Sequence, residues 1–320
     1  MKKSILIYTD GEIMGDGIIK IPFAVALKKA MPECNITWLC SGSTLYNSIL
    51  SPLVKDVIDD VVLFTPQQLS WRGVFGALPF TDRRFDIIID TQKKLKRTLW
   101  LKRIPHDKFY SKAVRYMLSE AKPSNRSKEG GGVFDDLMTL GSMATGVDLI
   151  RENIEIPAEF DEKAKHLLPD GKSYIGFVVG AGKEFKLWAL ENHVRLAKEL
   201  EAKGKIPVFI TGPNEKDIRE RLGKAIPTAL FPLDGEKDPR LTIAIGKRLS
   251  AAVSTDSGGG HLICAGGDFP IVTLFGTLPL KKKFLPASSK VTAFCPADFG
   301  GSVVSDIPYE AVKQAIIEVL

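Results

Sequence analysis

Several kinds of residue and pattern are scarce in this chain of 320 residues, and each shortage excludes a class of protein. No apolar run approaches the ~20 residues that a membrane-spanning helix needs. The four cysteines show no metal-ligand spacing and lie among apolar neighbours, which favours buried free thiols in a reducing cytoplasm. There is no Asp-x-Asp motif, and the turn after the first predicted strand lacks the Gly-x-Gly-x-x-Gly spacing of a dinucleotide site.

The charge that is present is unevenly distributed. The net charge is +6, and residues 93–128 contain twelve Lys and Arg against only Asp107 and Glu120. Such a segment favours an anionic partner: nucleic acid, an acidic membrane surface or a phosphorylated glycan. A solvated helix face is the alternative. Nucleic acid is the weakest of these interpretations, because no helix-turn-helix, zinc-finger or RNA-binding sheet signature accompanies the charge.

Short β-branched runs alternate with helical stretches, which predicts an α/β fold with parallel sheets. With 44% hydrophobic residues the chain can build the hydrophobic cores of two domains of this kind. We expect two Rossmann-like, doubly wound domains, residues 1–160 and 161–320, and packing of the C-terminal helix on the first domain is left open. The predicted strands are 4–8, 35–40, 61–64, 85–89, 174–179, 207–210, 250–254 and 271–275, and the predicted helices are 19–30, 190–203, 215–224 and 309–320.

Three further segments receive coarser predictions. Residues 91–116 are basic and helical in pattern, 122–132 read as a mobile loop, and 152–170 read as an acidic irregular linker. Ligands of doubly wound sheets bind at the carboxyl ends of the strands, so we expect the chemistry in a cleft between the two domains.

The most informative stretch is 253–276, which reads as strand, glycine-rich turn, helix and strand. Ser257, Gly258, Gly259 and Gly260 precede His261, the start of an apolar helical segment. Glycines let a backbone approach a ligand closely, and the free N–H groups of a helix N-terminus suit a diphosphate. The alternative is a tight turn whose glycines serve only packing.

Taken together, the motifs resemble glycosyltransferase family 9, the ADP-heptose:lipopolysaccharide heptosyltransferases. The order and spacing of five blocks carry the resemblance, which covers nearly the whole chain. The blocks are Gly15-Asp16 through Pro22 and Pro32, residues 36–39, residues 85–90 with the basic residues after them, Gly180-Ala181-Gly182 with Lys186-Leu187-Trp188 and Asn192, and Asp256 through His261. The family has Pro where this chain has Gly259, and Thr where it has Ser257.

The resemblance implies a GT-B arrangement of two domains facing each other across a cleft, and sugar transfer with inversion and without a required metal or cofactor. It makes Asp16 the general base for the acceptor hydroxyl, with a helix N-cap as its alternative role. It makes Lys186 a fixed positive charge beside the diphosphate, with a solvated loop lysine as the alternative, since Lys183 is nearby.

The same resemblance assigns donor-binding and acceptor-binding residues. Glu215 is the candidate for ribose contact; the alternative is an acidic residue that stabilises the start of a helix. His261 is the candidate for contact with the diphosphate; the alternative is a half-buried histidine whose hydrogen bonds are satisfied within the protein. The donor-binding set is Gly180, Ala181, Gly182, Thr211, Gly212, Glu215, Asp256, Ser257, Gly258, Gly259, Gly260 and His261. The acceptor-binding set is Lys93, Lys94, Lys96 and Arg97.

The expected function is transfer of a heptose or related sugar from ADP-heptose to a lipopolysaccharide-core or other surface glycan. We expect a cytoplasmic protein, peripheral at the inner face of the membrane, with a nucleotide sugar and an anionic or lipid-linked acceptor as partners and no nucleic acid. Trp100, Phe109 and Tyr110 are candidates for membrane contact, although a place in the core is favoured for them. The alternatives are a GT-B nucleotide-sugar-binding protein without activity or with another specificity and, less favoured, a nicotinamide-dependent oxidoreductase.

Overall fold

The structure, a computed structural model, describes residues 2–65, 71–123, 132–212, 215–286 and 288–320. The chain divides into two compact units, residues 1–153 and 154–320. Each unit contains one five-stranded parallel sheet. The predicted α/β class with two doubly wound, parallel-sheet domains is confirmed.

The first unit alternates strands and helices along the chain. Its elements are β1 (Ser4–Thr9), α1 (Met14–Ala30), β2 (Asn35–Cys40), α2 (Ser51–Val54), β3 (Asp60–Leu63), α3 (Trp71–Val74), β4 (Phe85–Asp90), α4 (Leu95–Leu101), β5 (His106–Ser111), a 3-10 turn (Ala113–Tyr116) and α5 (Val133–Thr145). The sheet order is β3-β2-β1-β4-β5. Strand order therefore reverses between β1 and β4, the position at which doubly wound sheets bind ligands.

The second unit repeats this plan. Its elements are α6 (Ala158–Leu167), β6 (Tyr174–Val178), a 3-10 turn (Glu184–Lys186), α7 (Leu190–Glu201), β7 (Ile206–Ile210), α8 (Lys216–Ala225), α9 (Pro239–Gly246), β8 (Leu249–Thr255), α10 (Gly258–Gly266), β9 (Ile271–Leu274), α11 (Leu278–Lys283), β10 (Val291–Phe294), 3-10 turns at Pro296–Phe299 and Val304–Asp306, and α12 (Tyr309–Ile317). The order β10-β9-β8-β6-β7 reverses between β6 and β8. The C-terminal helix α12 packs against β8 and β9 of its own unit.

Three sequence predictions about secondary structure are wrong. Residues 91–116 are not one helical region, because β5 lies inside it as an edge strand; its exposed Asp107 and Lys108 hide the strand pattern. Helix α1 begins at Met14 rather than residue 19, and the space above Gly17 is occupied by the Leu50 side chain, 2.7 Å from where a Cβ would lie. The 152–170 linker contains helix α6.

Burial agrees with two other predictions. All four cysteines are free and buried. Trp100, Phe109 and Tyr110 are 1%, 2% and 4% exposed, so these aromatics belong to the core. Most of the predicted loop at 122–132 lies outside the described residues.

Candidate active site

The strand ends of the second unit bring together segments that are distant in sequence. Strands β6, β7, β8 and β9 are parallel, so the loops that follow them leave the same edge of the sheet. The loops after β6 and β8 flank the switch point. The Thr255 hydroxyl donates to the Gly180 carbonyl at 2.5 Å and joins these two loops. Thr255 was not among the predicted site residues, because a buried threonine at a strand end gives no sequence signal.

An ion pair crosses the switch point. Lys186 Nζ lies 2.6 Å from Asp256 Oδ2, and the two side chains are 20% and 9% exposed. The partners are 70 residues apart and meet because the loops after β6 and β8 emerge side by side. A charge-assisted hydrogen bond of this length fixes the ammonium group at the strand ends. Lys183, by contrast, is exposed, with Nζ 5.8 Å from the centroid of the Phe185 ring.

Gly276, which sequence reasoning did not select, shapes the position of Lys186. A Cβ at Gly276 would lie 3.0 Å from the Phe185 ring and 3.3 Å from Lys186 Cγ. The 3-10 turn that contains Lys186 therefore lies directly over the end of β9. A side chain at Gly276 would force the side chains of Phe185 and Lys186 to shift by a few tenths of an ångström.

Helix α10 begins at the glycine-rich turn and presents its N-terminus at the same strand ends. Ser257 is the N-cap residue, in extended conformation, and its hydroxyl makes no capping bond. Its Oγ is buried and has no hydrogen-bond partner among the described residues. Orphan N–H groups and an unsatisfied hydroxyl at a helix N-terminus suit an anionic ligand.

Two glycines of this turn also serve packing. A Cβ at Gly260 would lie 2.2 Å from Ser254 Oγ, and one at Gly259 would lie 3.0 Å from Val178 Cγ1. The small residues let α10 approach β6 and β8 closely. His261 follows them, 6% exposed.

Glu215 lies above the loop that follows β6. A Cβ at Gly180 would lie 1.5 Å from Glu215 Oε1, so only glycine leaves room for this carboxylate. Glu215 Oε2 accepts from Gly212 N at 2.9 Å. Glu215 is the N-cap residue of α8 rather than a member of its first turn. Thr211 is buried, whereas Ala181 is half-buried and Gly182 is exposed.

In the first unit, Asp16 occupies the first turn of α1, immediately after the loop that follows β1. Ile13 is the N-cap residue, so Asp16 is not the N-cap. Its side chain is half-buried. The loop before α1 is closely packed: a Cβ at Gly42 would lie 2.5 Å from the Asp10 carbonyl oxygen, and Glu12 N donates to Ser43 O at 2.9 Å.

A buried ion pair that sequence reasoning missed stabilises this loop. Glu12 Oε1 lies 3.0 Å from Lys20 Nζ, and their side chains are 0% and 6% exposed. Trp38 Nε1 donates to the same oxygen at 3.2 Å. Burial raises the pKa of the Glu12 carboxyl, but Lys20 and the Thr9 hydroxyl outweigh it, so the pKa lies below its ordinary value. The pair connects the loop to the second turn of α1, and thus supports the turn that contains Asp16.

The four predicted acceptor residues are near the other switch point, but they are not equally free. Lys94 and Arg97 contact Asp10, at the end of β1; the Arg97 distance is 3.7 Å. Lys93 Nζ lies 2.7 Å from Asp136, and Lys96 Nζ lies 5.3 Å from the centroid of the Trp71 ring. Burial raises the pKa of the Asp10 carboxyl, but hydrogen bonds from Lys94 and Tyr8 outweigh it and lower the pKa.

Two features are absent from the described residues. No group of three or more His, Cys, Asp or Glu in the described ranges could hold a metal ion. Within the same ranges, no helix is long and apolar enough to cross a membrane.

Comparison with known families identifies the family of this chain. The model of glycosyltransferase family 9 (heptosyltransferase) matches residues 80–301, more than half of the chain. The chain therefore belongs to glycosyltransferase family 9. The matched range includes Lys186, Asp256 and the turn at Ser257; Asp16 lies before it. As a family 9 member, the chain is a glycosyltransferase. No curated protein matches it significantly.

Solved structures of the family share its fold. A family 9 glycosyltransferase from Veillonella parvula has a TM-score of 0.69 at 19% identity, over 99% of this chain and 97% of that one. Heptosyltransferase II of E. coli scores 0.64 at 16%, covering 99% and 98%. The E. coli heptosyltransferase WaaC, solved with ADP, scores 0.64 at 19%, covering 99% and 100%. Another structure of WaaC holds ADP-2-deoxy-2-fluoro heptose.

Proposed function

We propose that this family 9 chain transfers a heptose or related sugar from ADP-heptose to a lipopolysaccharide-core or other surface glycan, with inversion and without a metal. The observation that carries the proposal is the site at the β6/β8 switch point. There Lys186, fixed by Asp256, lies beside the N-terminus of α10 and the buried Ser257 hydroxyl. The ADP and ADP-sugar bound to WaaC support ADP as the nucleotide.

In the proposed reaction the donor diphosphate is the leaving group. The α10 N–H groups and the Lys186 ammonium offset the negative charge that develops on the diphosphate as the anomeric C–O bond breaks. Ser257 offers one more hydrogen bond to it. Glu215, beside Gly180 and Gly212, is the candidate for ribose contact, with Thr211, Ala181, Gly182 and His261 completing the donor-binding set.

Asp16 is the proposed general base. Its carboxylate takes the proton of the acceptor hydroxyl while that oxygen attacks the anomeric carbon from the face opposite the diphosphate, which gives inversion. Lys93, Lys94, Lys96 and Arg97 are the proposed contacts to an anionic acceptor. Because Lys94 and Arg97 contact Asp10, the acceptor anion would displace or join that carboxylate. We place this reaction in the cytoplasm, at the inner membrane face.

A ligand panel tests the donor assignment first. Thermal stability is measured with ADP, UDP, GDP, CMP and NADH, because a native-state ligand at a hundredfold excess over its Kd stabilises by about 2.7 kcal/mol. Selective stabilisation by ADP supports the proposal. A preference for another nucleoside diphosphate contradicts ADP-heptose but not sugar transfer, and a preference for NADH favours the oxidoreductase.

The base is tested by Asp16→Asn, with Asp56→Asn as the matched control because Asp56 is exposed on the same unit. We expect Asp16→Asn to lower kcat by about 10²-fold to 10⁴-fold, with ADP affinity unchanged. Asp56→Asn should behave like the wild type. Normal turnover by Asp16→Asn would rule out its assignment as the base, and NMR of the product anomer tests inversion separately.

A further inference from the structure

One surface of the first unit combines exposed apolar side chains with unpaired positive charge. Trp71, the first residue of α3, is 58% exposed, and Phe75, the residue after α3, is 78% exposed. Met117, directly after the 3-10 turn Ala113–Tyr116, is 71% exposed, and Val114 within that turn is 43% exposed. These are not the aromatics that the sequence suggested for membrane contact, all of which are core residues.

The elements of this surface are adjacent. Arg103, just after α4, donates to the carbonyls of Val74 and Gly76 at 2.8 and 2.7 Å, which joins α4 to α3. Lys102 Nζ donates to Leu118 O at 3.1 Å, which joins α4 to the segment after the 3-10 turn. We call the exposed residues of 71–77, 94–103 and 112–117 the α3–α4 surface.

The α3–α4 surface has charge of one sign. Its three segments contain eight Lys and Arg and no Asp or Glu. Lys94, Arg97 and Lys112 contact Asp10 or Asp136. The other five have no carboxylate within ion-pair distance among the described residues: Arg72, Lys96, Lys102, Arg103 and Arg115. A solvated surface usually mixes both signs and exposes few large apolar residues, so ordinary solvation does not account for this one.

The 3-10 turn adds a conformational argument. Val114, Arg115 and Tyr116 have φ of 50°, 52° and 63°, a left-handed conformation that non-glycine residues rarely adopt, a β-branched residue least of all. Strained backbone of this kind clusters at ligand-binding sites. Here it leaves Val114 and Arg115 exposed next to Met117.

We propose that the α3–α4 surface binds an anionic lipid bilayer, with Trp71, Phe75 and Met117 entering the interfacial region and the exposed cations Arg72 and Arg115 contacting lipid phosphates. Aromatic side chains favour the membrane–water interface, and a basic rim attracts an anionic leaflet. This inference extends the peripheral membrane association proposed above. It rests on the proposed sugar transfer only where it links the surface to a lipid-linked acceptor. Lipid binding is measured without either substrate.

The binding test uses vesicles of phosphatidylethanolamine with and without phosphatidylglycerol. We expect the full chain to sediment with the phosphatidylglycerol vesicles and to be released by salt. Arg72→Gln/Arg115→Gln should weaken binding by about fivefold per charge removed. Lys198→Gln/Lys203→Gln removes the same charge from exposed positions of the second unit and should have no effect.

Tryptophan fluorescence locates the contact. Trp71 is the exposed tryptophan, since Trp38, Trp100 and Trp188 are at most 2% exposed. Nitroxide-labelled lipids should quench a component of the emission that is missing in Trp71→Phe. Trp71→Ser/Phe75→Ser should lose vesicle binding, while Ile150→Ser, which changes an exposed apolar residue outside the α3–α4 surface, should keep it.

Activity separates this surface from the transfer site. Phe75→Ser/Met117→Ser, which keeps the Trp71 ring beside Lys96, should turn over a lipid-free oligosaccharide acceptor normally and a vesicle-embedded acceptor more slowly. Three results would each overturn the proposal. The first is absence of vesicle binding, the second is an equal loss of binding in the two charge variants, and the third is Trp71 emission that labelled lipids do not quench. So would self-association that depends on Trp71 and Phe75 without lipid binding, which would make the surface a protein interface. Vesicle binding without sugar transfer would contradict only the proposed function.

Discussion

At the scale of single residues, Lys186 and Lys183 are the most informative comparison. They are three residues apart on one loop, yet Lys186 is fixed by Asp256 and Lys183 is exposed. A fixed charge stabilises a developing anion without the cost of ordering the side chain during the reaction. Proximity in sequence therefore does not make the two lysines interchangeable.

Replacement of each lysine tests this difference. Lys186→Met should lower kcat by about 10²-fold, because it removes the preorganised charge that we propose lies beside the leaving group. Lys183→Met, the matched control, should stay close to wild type. Steady-state kinetics and ADP calorimetry measure both variants. A kcat close to wild type in Lys186→Met would mean that Lys183 can replace Lys186, contrary to the geometry.

Several residue roles were assigned from the sequence only by family resemblance and stay predictions, and some contacts could not be predicted at all. The Lys186–Asp256 pair exists because parallel topology joins residues 70 apart, which local pattern does not encode. The same holds for Thr255 with Gly180, and for Glu12 with Lys20 inside an apolar environment. The basic run at 93–97 was visible, but its contacts with Asp10 and Asp136 were not.

At the scale of elements, the buried strands could be predicted from the sequence. Central strands β1 and β4, covered on both faces, appear in the sequence as apolar β-branched runs. The edge strands β5 and β10 are partly exposed and neither was predicted, whereas the partly exposed edge strand β3 was predicted from its Val61, Val62 and Leu63. Helix α1 was predicted too short, because glycine propensity indicated a turn where tertiary packing favours a helix.

Close contact between α9 and α10 gives a prediction at this scale. A Cβ at Gly246 would lie 2.0 Å from the Ile263 carbonyl oxygen, which is backbone and cannot move aside as a side chain could. Gly246→Ala should therefore lower the free energy of unfolding by about 1–3 kcal/mol or more. Since α10 carries the Ser257 turn at its N-terminus, ADP affinity should fall as well. Urea unfolding and calorimetry measure the two effects.

Gly223→Ala is the matched control in α8. Its added Cβ would meet only the Phe231 ring, at 3.9 Å, an ordinary contact distance. Removing a glycine from a helix interior should raise the free energy of unfolding by about 0.5–1 kcal/mol. The opposite signs of the two substitutions separate steric conflict from helix propensity. Stabilisation by Gly246→Ala would show that the helices are not in such close contact.

At the scale of the whole molecule, the two units contain buried titratable groups with opposite pH dependence. In the second unit, burial lowers the pKa of His193 to about 3, and neither ring nitrogen has a hydrogen-bond partner among the described residues. In the first unit, burial raises the pKa of Asp90 to about 6, despite hydrogen bonds from Thr98, Gln92 and Ser111. Both groups titrate differently in the folded and unfolded states, so both couple stability to pH.

The signs follow from linkage. His193 has a folded pKa below its unfolded value, so its stabilising contribution is present above pH 6.5 and is lost as the pH falls towards 3. Between pH 6.5 and 5 this costs the second unit about 2 kcal/mol. Asp90 has a folded pKa above its unfolded value, so its contribution increases as the pH falls through 6, by roughly 1 kcal/mol over the same interval.

Acidification from pH 6.5 to 5 should therefore destabilise the second unit while the first is unchanged or gains stability. Hydrogen exchange with mass spectrometry, corrected for intrinsic exchange rates, resolves the two units in the intact chain. His193→Phe keeps a ring beside Trp188, 5.0 Å away between centroids, and should abolish the loss. Asp90→Asn should abolish the gain in the first unit only. If His193→Phe remained as acid-sensitive as the wild type, another group would control the second unit, and the buried imidazole would not be the cause.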